Sequence, residues 1–415
     1  MTASGPDLRC RFCAAPLRHA MADLGSSPLA NSYLRPEDLQ RPEPFYPLCA
    51  YVCESCHLAQ LPEFEAPEAI FTDYAYFSSY SDTWVEHARR YALAMRERFG
   101  IGTRHRVVEI ASNDGYLLRH FRDAGVPVLG IEPAANVAAV AEQAGIPTRV
   151  QFFGTATARE LQREGLAADL LVANNVLAHT PHLNDFVAAI AIALRPGGRA
   201  TLEFPHLVRL LAENQFDTIY HEHFSYFSFS TVRQVFARHG LELFDVEELP
   251  THGGSLRIYA RRAAESAPPV GPAVADLLRR EEAFGIRDLA TYLGFGERVR
   301  ETKRQLLTFL IDARRAGKTI AGYGAPAKGN TLLNYCGVRT DFLDYTVDRS
   351  PHKQGRFLPG TRIPIHAPEK LRETRPDYVL ILPWNLSQEV MQQMAHVREW
   401  GGRFVVAIPE TRLLP

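Results

Sequence analysis

The chain has 415 residues, of which 46% are hydrophobic and 22% are charged, and its formal net charge is −1. This length exceeds what one compact core usually holds, so we expect two or three domains. The near-neutral balance offers no electrostatic footprint for nucleic acid or for an anionic membrane surface. The first ten residues contain no apolar stretch typical of a signal peptide, and no window is apolar for the length of a membrane span. We therefore expect a cytoplasmic protein whose partners include neither nucleic acid nor membrane.

Four of the six cysteines form two C-x-x-C pairs, Cys10 with Cys13 and Cys53 with Cys56. In a reducing compartment such paired knuckles are typical of a tetrahedral zinc site closed by four thiolates. A closed site has no open coordination position, so the predicted zinc is structural. Two alternatives stay open on spacing alone: redox-active thiols, and haem attachment through CESCH with His57 as the axial ligand.

Beyond this module the sequence alternates between strands and helices. A helix is predicted over residues 81–99, where apolar residues recur at helical spacing. The predicted strands that follow are HRVVEIAS, VPVLGIEP, PTRVQFF, ADLLVANNVLAH and RATLEFP. The predicted helices between them are NDGYLLRHFRDAG, ANVAAVAEQAG and DFVAAIAIALRPGG, the last ended by Pro-Gly-Gly. This alternation predicts a parallel sheet with helices on both faces.

The remainder of the chain predicts a hairpin, a linker and a second α/β unit. LELFDVEEL and SLRIYARR are expected to pair around a His-Gly-Gly turn, and the proline-rich residues 263–273 indicate a linker. A charged amphipathic stretch, about residues 274–317, predicts one long helical region. The short apolar runs KTIAGYGA, DFLDYTVD, DYVLILPW and RFVVAIPE then predict four strands.

The turn after the first strand of the central unit, VVEIASNDGYLL, favours a nucleoside ligand. In doubly wound sheets ligands lie at the carboxyl ends of the strands, and small residues there let a ligand approach the backbone. Glu132 ends the second strand, where such folds place a carboxylate that grips two ribose hydroxyls. The alternative is an ordinary strand-turn-helix with an acidic residue at a strand end. Asn174, Asn175 and His179 follow the fourth strand and are predicted on the same rim, although such residues are also common turn formers.

The stretch FDTIYHEHFSYFS contains His221, Glu222 and His223 within a run of aromatic residues. A metal site would need an extended H-x-H segment and a third ligand that is not obvious, and a solvated face does not suit such aromatic flanks. A buried His-Glu pair beside Tyr220 is what proton removal next to a carbonyl requires, because the carboxylate would orient the imidazole and raise its basicity. His252 stands beside two glycines that allow backbone approach to a ligand.

The sequence resembles the sugar C-methyltransferases that act on nucleotide-linked keto-deoxysugars, and the resemblance extends over nearly the whole chain. It rests on the paired knuckles, on E-I-x-x-N-D-G at residues 109–115 and on F-D-x-I-Y-x-E-H-F at residues 216–224. It continues in H-G-G at residues 252–254 and G-Y-G-A-x-A-K at residues 322–328. The motifs are specific together, whereas the N-D-G turn alone is not.

The resemblance implies an α/β protein with three domains. These are a zinc-binding domain at residues 1–75, a class I methyltransferase Rossmann-like domain at residues 76–262, and a C-terminal α/β Rossmann-like domain at residues 263–415. The implied cofactors are S-adenosylmethionine and structural Zn²⁺, and the implied partner is a nucleotide sugar, with dTDP as the nucleotide. A base removes the proton beside the ketone, and the enolate attacks the sulfonium methyl group. We expect a monomer.

The resemblance also assigns roles to individual residues. The implied base is His223, supported by Tyr220 and Glu222, with His179 and Tyr76 facing the substrate. Cofactor contacts are expected from Glu109, Ala111, Ser112, Asn113, Gly115, Glu132, Pro133, Phe153, Asn174 and Asn175. Substrate contacts are expected from His221, His252, Tyr323, Lys328 and Asn330, the last two near the diphosphate.

Three departures from the family pattern qualify these assignments. Ala111 replaces the first glycine of the turn, and His221 replaces an acidic residue of some relatives, which leaves the choice of base between two histidines. Phe77 and Ser255 replace polar or acidic residues expected around a substrate amine, so the sugar here is expected to lack that amine. A non-catalytic binding protein and an NAD(P)-dependent oxidoreductase remain the alternatives from other classes, although neither α/β unit has a G-x-G-x-x-G turn.

Overall fold

The computed structural model describes residues 8–66, 78–80, 82–263 and 269–414. Three sheets organise this part of the chain, and helices cover them. No helix within the described ranges combines the length and apolarity that crossing a membrane would require.

A small antiparallel sheet forms the N-terminal module and includes a strand from far along the chain. Its strands lie in the order β1-β2-β3-β9. They are β1 (His19–Ser27), β2 (Tyr46–Val52), β3 (Ala59–Gln60) and β9 (Ser225–Tyr226). Strand β9 comes two residues after His223, so its pairing with β3 brings the His-Glu-His stretch next to the N-terminal module.

The central sheet has the order β10-β11-β8-β7-β4-β5-β6, and its five strands from β8 to β6 are parallel. These five are β4 (Val107–Ile110), β5 (Val128–Ile131), β6 (Thr148–Arg149), β7 (Ala168–Asn174) and β8 (Leu194–Pro205). The predicted hairpin of β10 (Leu241–Leu249) and β11 (Ser255–Arg262) is confirmed and adds two antiparallel strands to β8.

Helices connect these strands as the predicted alternation requires. In chain order they are α1 (Asp82–Phe99), α2 (Leu118–Arg122), α3 (Ala135–Gln143), α4 (Thr155–Arg163), α5 (Leu183–Ala193), α6 (Leu207–Ala212) and α7 (Phe229–Arg238). The first strand β4 lies between β5 and β7, so the chain order reverses there. Ligands of open α/β sheets bind at the carboxyl ends of strands beside such a reversal.

The C-terminal sheet has the order β14-β13-β12-β15-β16-β17. Its strands are β12 (Ile320–Tyr323), β13 (Thr346–Val347), β14 (Ile365–His366), β15 (Tyr378–Ile381), β16 (Arg403–Val406) and β17 (Arg412–Leu414). All neighbours are parallel except β16 and β17. The helices of this region are α8 (Pro272–Phe284), α9 (Leu289–Leu293), α10 (Phe295–Arg315), α11 (Ala327–Cys336), α12 (Lys370–Thr374) and α13 (Ser387–Gln393).

Four local expectations were wrong or incomplete. The predicted single helical region after residue 273 is three helices, because Gly285 adopts the left-handed conformation that ends α8 and Asp288 caps α9. The predicted Pro-Gly-Gly stop does not lie between helix α5 and strand β8. Helix α5 ends at Ala193, and β8 begins at Leu194, so the Pro-Gly-Gly sequence is inside the strand. Helix α4 was not predicted; the side chain of Asp185 accepts hydrogen bonds from the main chain and hydroxyl of Thr155 at its start. Strands β14 and β17 were also not predicted.

Candidate functional site: a zinc cluster and a cleft at the strand ends

The four predicted zinc ligands come together. The sulfur atoms of Cys10, Cys13, Cys53 and Cys56 all lie within 4.8 Å of one another. Cys10 and Cys56 sulfurs are 3.5 Å apart, as are those of Cys13 and Cys53. Thiolates bound tetrahedrally to Zn²⁺ at about 2.3 Å would lie about 3.8 Å apart, so the cluster fits the ion. The amide of Gln60 also donates to the Cys10 sulfur at 3.2 Å, and hydrogen bonds of this kind orient the ligands of a metal ion.

The turn after β4 is tightly folded, as close approach of a ligand to the backbone requires. Ala111 and Asn113 have φ of 52° and 50°, and Gly115 has φ of 77°. A Cβ atom at Gly115 would meet Ile146 at 2.8 Å, so only glycine fits there. The side chain of Asn113 accepts a hydrogen bond from the main-chain N–H of Ser78 at 2.8 Å, which ties the turn to the segment before α1.

Glu132 lies at the end of β5 and faces this turn. Its two oxygens accept hydrogen bonds of 2.9 Å from the main-chain N–H groups of Asn113 and Ala134. The carboxylate is buried, and burial raises its pKa. Each oxygen has a further lone pair, so the carboxylate can hold the turn and also accept from ribose hydroxyls.

The strand ends around Glu132 carry buried polar atoms without a partner in the described part of the chain. They are Glu109 Oε2, Ser112 Oγ and Asn174 Oδ1. Burial, followed by the negative charge of Glu132, raises the pKa of Glu109 well above its usual range. Buried acceptors crowded with acidic groups fit a cofactor that brings hydroxyl and amino donors and a positive charge, as S-adenosylmethionine does.

The other predicted cofactor residues surround the same edge. Pro133 follows Glu132 and is half-buried. The ring of Phe153 packs edge-on against Phe186 with centroids 5.5 Å apart. Asn175 has φ of 56°, and its N–H donates to the carbonyl of Glu203 at 2.8 Å.

His223 is the centre of a buried group of rings. Its Nδ1 lies 2.9 Å from the main-chain carbonyl of Thr218, and its Nε2 lies 2.9 Å from the Tyr220 hydroxyl. The His179 ring meets it edge-on with centroids 4.7 Å apart. Burial, followed by repulsion from His179, lowers the pKa of His223 well below its usual range. Burial also lowers the pKa of His179 to about 4, so both rings are neutral at neutral pH.

Glu222 does not orient His223, which corrects the expected His-Glu pairing. The carbonyl of Thr218 holds the imidazole instead, since a carbonyl already available in the turn is at hydrogen-bonding distance from Nδ1. Both Glu222 oxygens accept from the amide of Asn31, at 2.7 and 3.0 Å. Burial raises the pKa of Glu222 to about 7, and the hydrogen bond from Asn31 opposes that shift.

His221 contacts the zinc-binding module. Its Nε2 donates to the carbonyl of Pro47 at 3.1 Å, and its ring packs edge-on near Tyr46 and Phe64. The structure therefore gives the two histidines different surroundings: His223 joins the ring cluster, and His221 contacts the module. Tyr76, also predicted to face the substrate, lies outside the described residues, as does Phe77.

The predicted substrate residues of the C-terminal domain lie near the end of β12. The Lys328 ammonium is 2.9 Å from Asn385 Oδ1 and 4.8 Å from the centroid of the Trp384 ring. Burial lowers the pKa of Lys328, and the nearby charge of Asp217 opposes this shift. The Tyr323 hydroxyl donates to Gln393 at 3.2 Å.

Asn330 makes a contact between domains. Its amide donates to the carbonyl of Ala30 at 2.5 Å, and the residue is 1% exposed. His252 has φ of 55° and packs edge-on against Trp84 with centroids 5.3 Å apart. The charge of Lys328 contributes to lowering its pKa, although burial is the larger cause.

Two residues of the candidate site, Asp217 and Asn31, were not identified from the sequence. Asp217 is fully buried and accepts a 2.7 Å hydrogen bond from the indole of Trp384. Burial raises its pKa to about 6. Asp217 is visible in the sequence as an acidic residue within an apolar and aromatic run, which is a usable signal. Asn31 has no such signal, because it meets Glu222 from 191 residues away.

The comparisons with known proteins cover all three parts of the chain. Residues 10–71 match a family described as a zinc binding domain, residues 84–246 a methyltransferase domain, and residues 250–409 a C-methyltransferase C-terminal domain. The C-methyltransferase NovU of Streptomyces niveus is 39% identical over 409 residues, which span 98% of this chain and 96% of that protein.

Solved structures are more distant. The magnesium protoporphyrin IX methyltransferase ChlM of Synechocystis PCC 6803 with bound SAM is 14% identical over 43% of this chain and 79% of its own, with a TM-score of 0.33. The CcbJ methyltransferase of Streptomyces caelestis is 14% identical over 43% and 90%, with a TM-score of 0.34. Similarities at these scores add nothing to the sequence matches.

Proposed function

This chain belongs to the S-adenosylmethionine-dependent C-methyltransferases that carry a zinc-binding domain, and we propose that its methyl acceptor is a nucleotide-linked keto-deoxysugar, with dTDP as the nucleotide. The methylated carbon is the one beside the ketone. Family membership makes the protein an enzyme with a class I Rossmann-like methyltransferase domain. A non-catalytic binding protein and an NAD(P)-dependent oxidoreductase therefore have no support.

The observation that carries the proposed chemistry is the hydrogen bonding of His223. A carbonyl can only accept, so the contact with Thr218 assigns the proton of the imidazole to Nδ1. Nε2 then has the lone pair, and it accepts a hydrogen bond from the Tyr220 hydroxyl. A neutral imidazole with its tautomer fixed in this way is suited to take the proton from the carbon beside the ketone. The C–H electron pair becomes the enolate, and the proton remains on Nε2.

Tyr220 contacts the same lone pair that the substrate proton needs. Either the substrate displaces the hydroxyl, or the phenol oxygen takes the proton from carbon while giving its own to His223. Both routes end with a protonated His223. A Tyr220→Phe variant distinguishes them, because proton removal persists in the first route and is lost in the second.

The enolate oxygen needs a donor where its charge develops. His179 is one candidate because its ring lies beside His223. Its single N–H is engaged by the main chain of Glu222, so the ring must exchange that bond for one to the enolate oxygen in order to fill this role. Tyr76 is an equal candidate from the sequence. When bound, S-adenosylmethionine supplies the electrophilic methyl group that the enolate carbon takes up, and Glu132, Asn113 and the strand ends beside them would hold it.

The nucleotide half of the substrate is assigned to the C-terminal domain. Lys328 offers a cation at the start of α11, and its ammonium is stabilised by Asn385 and by the Trp384 ring face. A diphosphate would replace those weaker partners. This assignment, like that of Asn330, Tyr323 and His252 to the substrate, is part of the proposal.

The test compares His223→Asn with His221→Asn. Loss of a general base typically lowers the rate by about 10²–10⁴. His223→Asn should therefore keep its zinc and its S-adenosylmethionine affinity, yet lose methyl transfer to a dTDP-linked keto-deoxysugar and lose solvent-deuterium exchange at the acceptor carbon. His221→Asn should keep both activities. Normal exchange in His223→Asn together with lost exchange in His221→Asn would assign the base to His221.

A further inference from the structure

We propose that Asn31, a residue of the zinc-binding module, is a positioning residue for methyl transfer, because its side-chain amide holds in one orientation the carboxylate of Glu222, the residue that precedes His223 in the chain. The proposal rests on the function proposed above and extends it to a residue outside the methyltransferase domain. It makes the N-terminal module a contributor to the catalytic centre.

The geometry of the contact is specific. Asn31 follows β1, and its Nδ2 lies 2.7 Å from one Glu222 oxygen and 3.0 Å from the other. An amide nitrogen has two hydrogens, so it can donate to both oxygens and fix the carboxylate plane. Glu222 is 3% exposed, so water does not compete freely for these positions.

Asn31 is itself held in place. The Tyr33 hydroxyl lies 3.3 Å from Asn31 Oδ1 and donates to the carbonyl of Ala325 at 2.5 Å. Lys353 donates to the same carbonyl at 2.9 Å, and its ammonium lies 5.3 Å from the centroid of the Tyr33 ring. The loop that bears Asn31 is thus fastened to the C-terminal domain while its amide reaches the central one.

The consequence of the contact is electrostatic. Burial raises the pKa of Glu222 to about 7, and the Asn31 bond is the one influence that opposes burial in the described part of the chain. The titratable groups that face Glu222 are Tyr33 and His179, with His221 and His223 as its chain neighbours. Burial raises the pKa of Tyr33 and lowers that of His179, so both are neutral near pH 7.

An ionised Glu222 would help His223 accept a proton. The imidazole lies in a buried environment that disfavours its positive charge, and a neighbouring anion offsets this cost. Methyl transfer should then increase as Glu222 ionises, with a midpoint near pH 7. Asn31→Leu removes a hydrogen bond to a charged acceptor, which is expected to move that midpoint upward by about one to two pH units. At pH 7 the rate should fall about 5- to 50-fold, because the ionised fraction of Glu222 falls from one half to between about a tenth and a hundredth, and it should recover at higher pH.

The matched control is Asn184→Leu. The Asn184 amide also joins the module to the central domain, by donating to the carbonyls of Arg11 and Phe12 at 3.0 Å, but it contacts neither Glu222 nor His223. Loosening the module alone would affect both variants equally and at every pH. A shift of the pH midpoint confined to Asn31→Leu supports positioning.

A double-mutant cycle with Glu222→Gln completes the test. In the Glu222→Gln background the ionisation is absent, so adding Asn31→Leu should change neither the midpoint nor the rate by more than about twofold. Asn31→Asp, which is nearly isosteric but replaces the donor with an acceptor, serves if Asn31→Leu fails to fold, and should also raise the midpoint. The inference would be overturned if the pH midpoint of methyl transfer stayed unchanged in both Asn31 variants. It would also be overturned if Asn31→Leu lowered the rate equally in the unchanged protein and in the Glu222→Gln background.

A measurement without substrate separates this inference from the proposed function. Infrared difference titration against Glu222→Gln reports the carboxylic acid band of Glu222 in the whole, zinc-loaded protein. The pH at which half of this band is lost should rise in Asn31→Leu and stay constant in Asn184→Leu. If that midpoint does not move, the inference is refuted even when methyl transfer is observed. If it moves but no keto-deoxysugar nucleotide takes up a methyl group, the proposed acceptor is wrong, whereas the control of the Glu222 ionisation by Asn31 is confirmed.

Discussion

Replacing Glu132 with alanine tests how the methyltransferase domain holds its cofactor. The carboxylate accepts hydrogen bonds from two main-chain N–H groups, of Asn113 and Ala134, and is placed at the strand end where ribose hydroxyls are bound in related folds. The variant therefore loses two kinds of interaction, one within the turn and one with the ligand.

The two losses have separate magnitudes. A hydrogen bond to a charged acceptor contributes about 1.5–3 kcal/mol, so losing the grip on ribose should weaken S-adenosylmethionine binding by about 10- to 150-fold. Leaving the buried N–H groups without an acceptor should lower the free energy of unfolding by about 1–3 kcal/mol. Isothermal titration calorimetry measures the first effect, and urea unfolding of the zinc-loaded protein measures the second.

Asp169→Ala is the matched control for this experiment. Asp169 stands at the opposite, amino-terminal edge of the same sheet, and its carboxylate also accepts from a main-chain N–H, that of Arg106 at 2.7 Å. It should lose stability and keep its cofactor affinity. If Glu132→Ala binds S-adenosylmethionine as tightly as the unchanged protein, the carboxylate is a turn-forming group and the assigned cofactor position is wrong.

Two further predictions concern the zinc cluster and Asp217. Cys53→Ser should lower zinc content and folded yield, measured by metal analysis and circular dichroism, while Cys336→Ser, which alters a buried cysteine outside the cluster, should keep its zinc. Zinc retained in full by Cys53→Ser would contradict the four-thiolate assignment. Asp217→Ala should lower the free energy of unfolding by about 1–3 kcal/mol, because it leaves the indole N–H of Trp384 without its acceptor, whereas Asp217→Asn keeps an oxygen there and should cost less. Equal losses in urea unfolding would show that the charge of Asp217 beside Lys328, and not the hydrogen bond, is what stabilises the fold.

The parts of the fold that follow from local pattern were predictable. Strands β4, β5, β7 and β8 are short apolar runs buried on both faces, and such runs are distinctive in a parallel sheet. Helix α4 was missed because its buried positions, such as Thr157 and Ala158, are small and only weakly apolar. The breaks at Gly285 and Gly294 interrupt an amphipathic pattern that is otherwise continuous, so periodicity alone did not locate them.

The candidate site likewise contains residues that local sequence pattern predicts and residues that it does not. Glu132 and the zinc cysteines were predictable because spacing along one chain segment fixes where they lie. The partner of Glu222 was not, because an amide from a loop 191 residues away competes with the neighbouring imidazole and no sequence period relates the two. The roles of His221 and His223 were likewise undecided, since adjacent positions in a turn face different neighbours and only the folded chain supplies those neighbours.

The placement of the stretch from Phe216 to Ser228 explains why its histidines stand among so many aromatic residues. On one side the main chain of Phe224 accepts from Leu61, and β9 pairs with β3 of the zinc-binding module. On the other side the carbonyl of Ile219 accepts from Thr331 of the C-terminal domain at 3.2 Å. A segment at the junction of three domains is buried from every direction, so apolar side chains must fill the space that solvent would otherwise occupy around His223. The same enclosure keeps the imidazole neutral and makes its positive form costly. The role that we propose for Glu222 follows from this cost, because its carboxylate, held by the Asn31 amide of the zinc-binding module, would offset it.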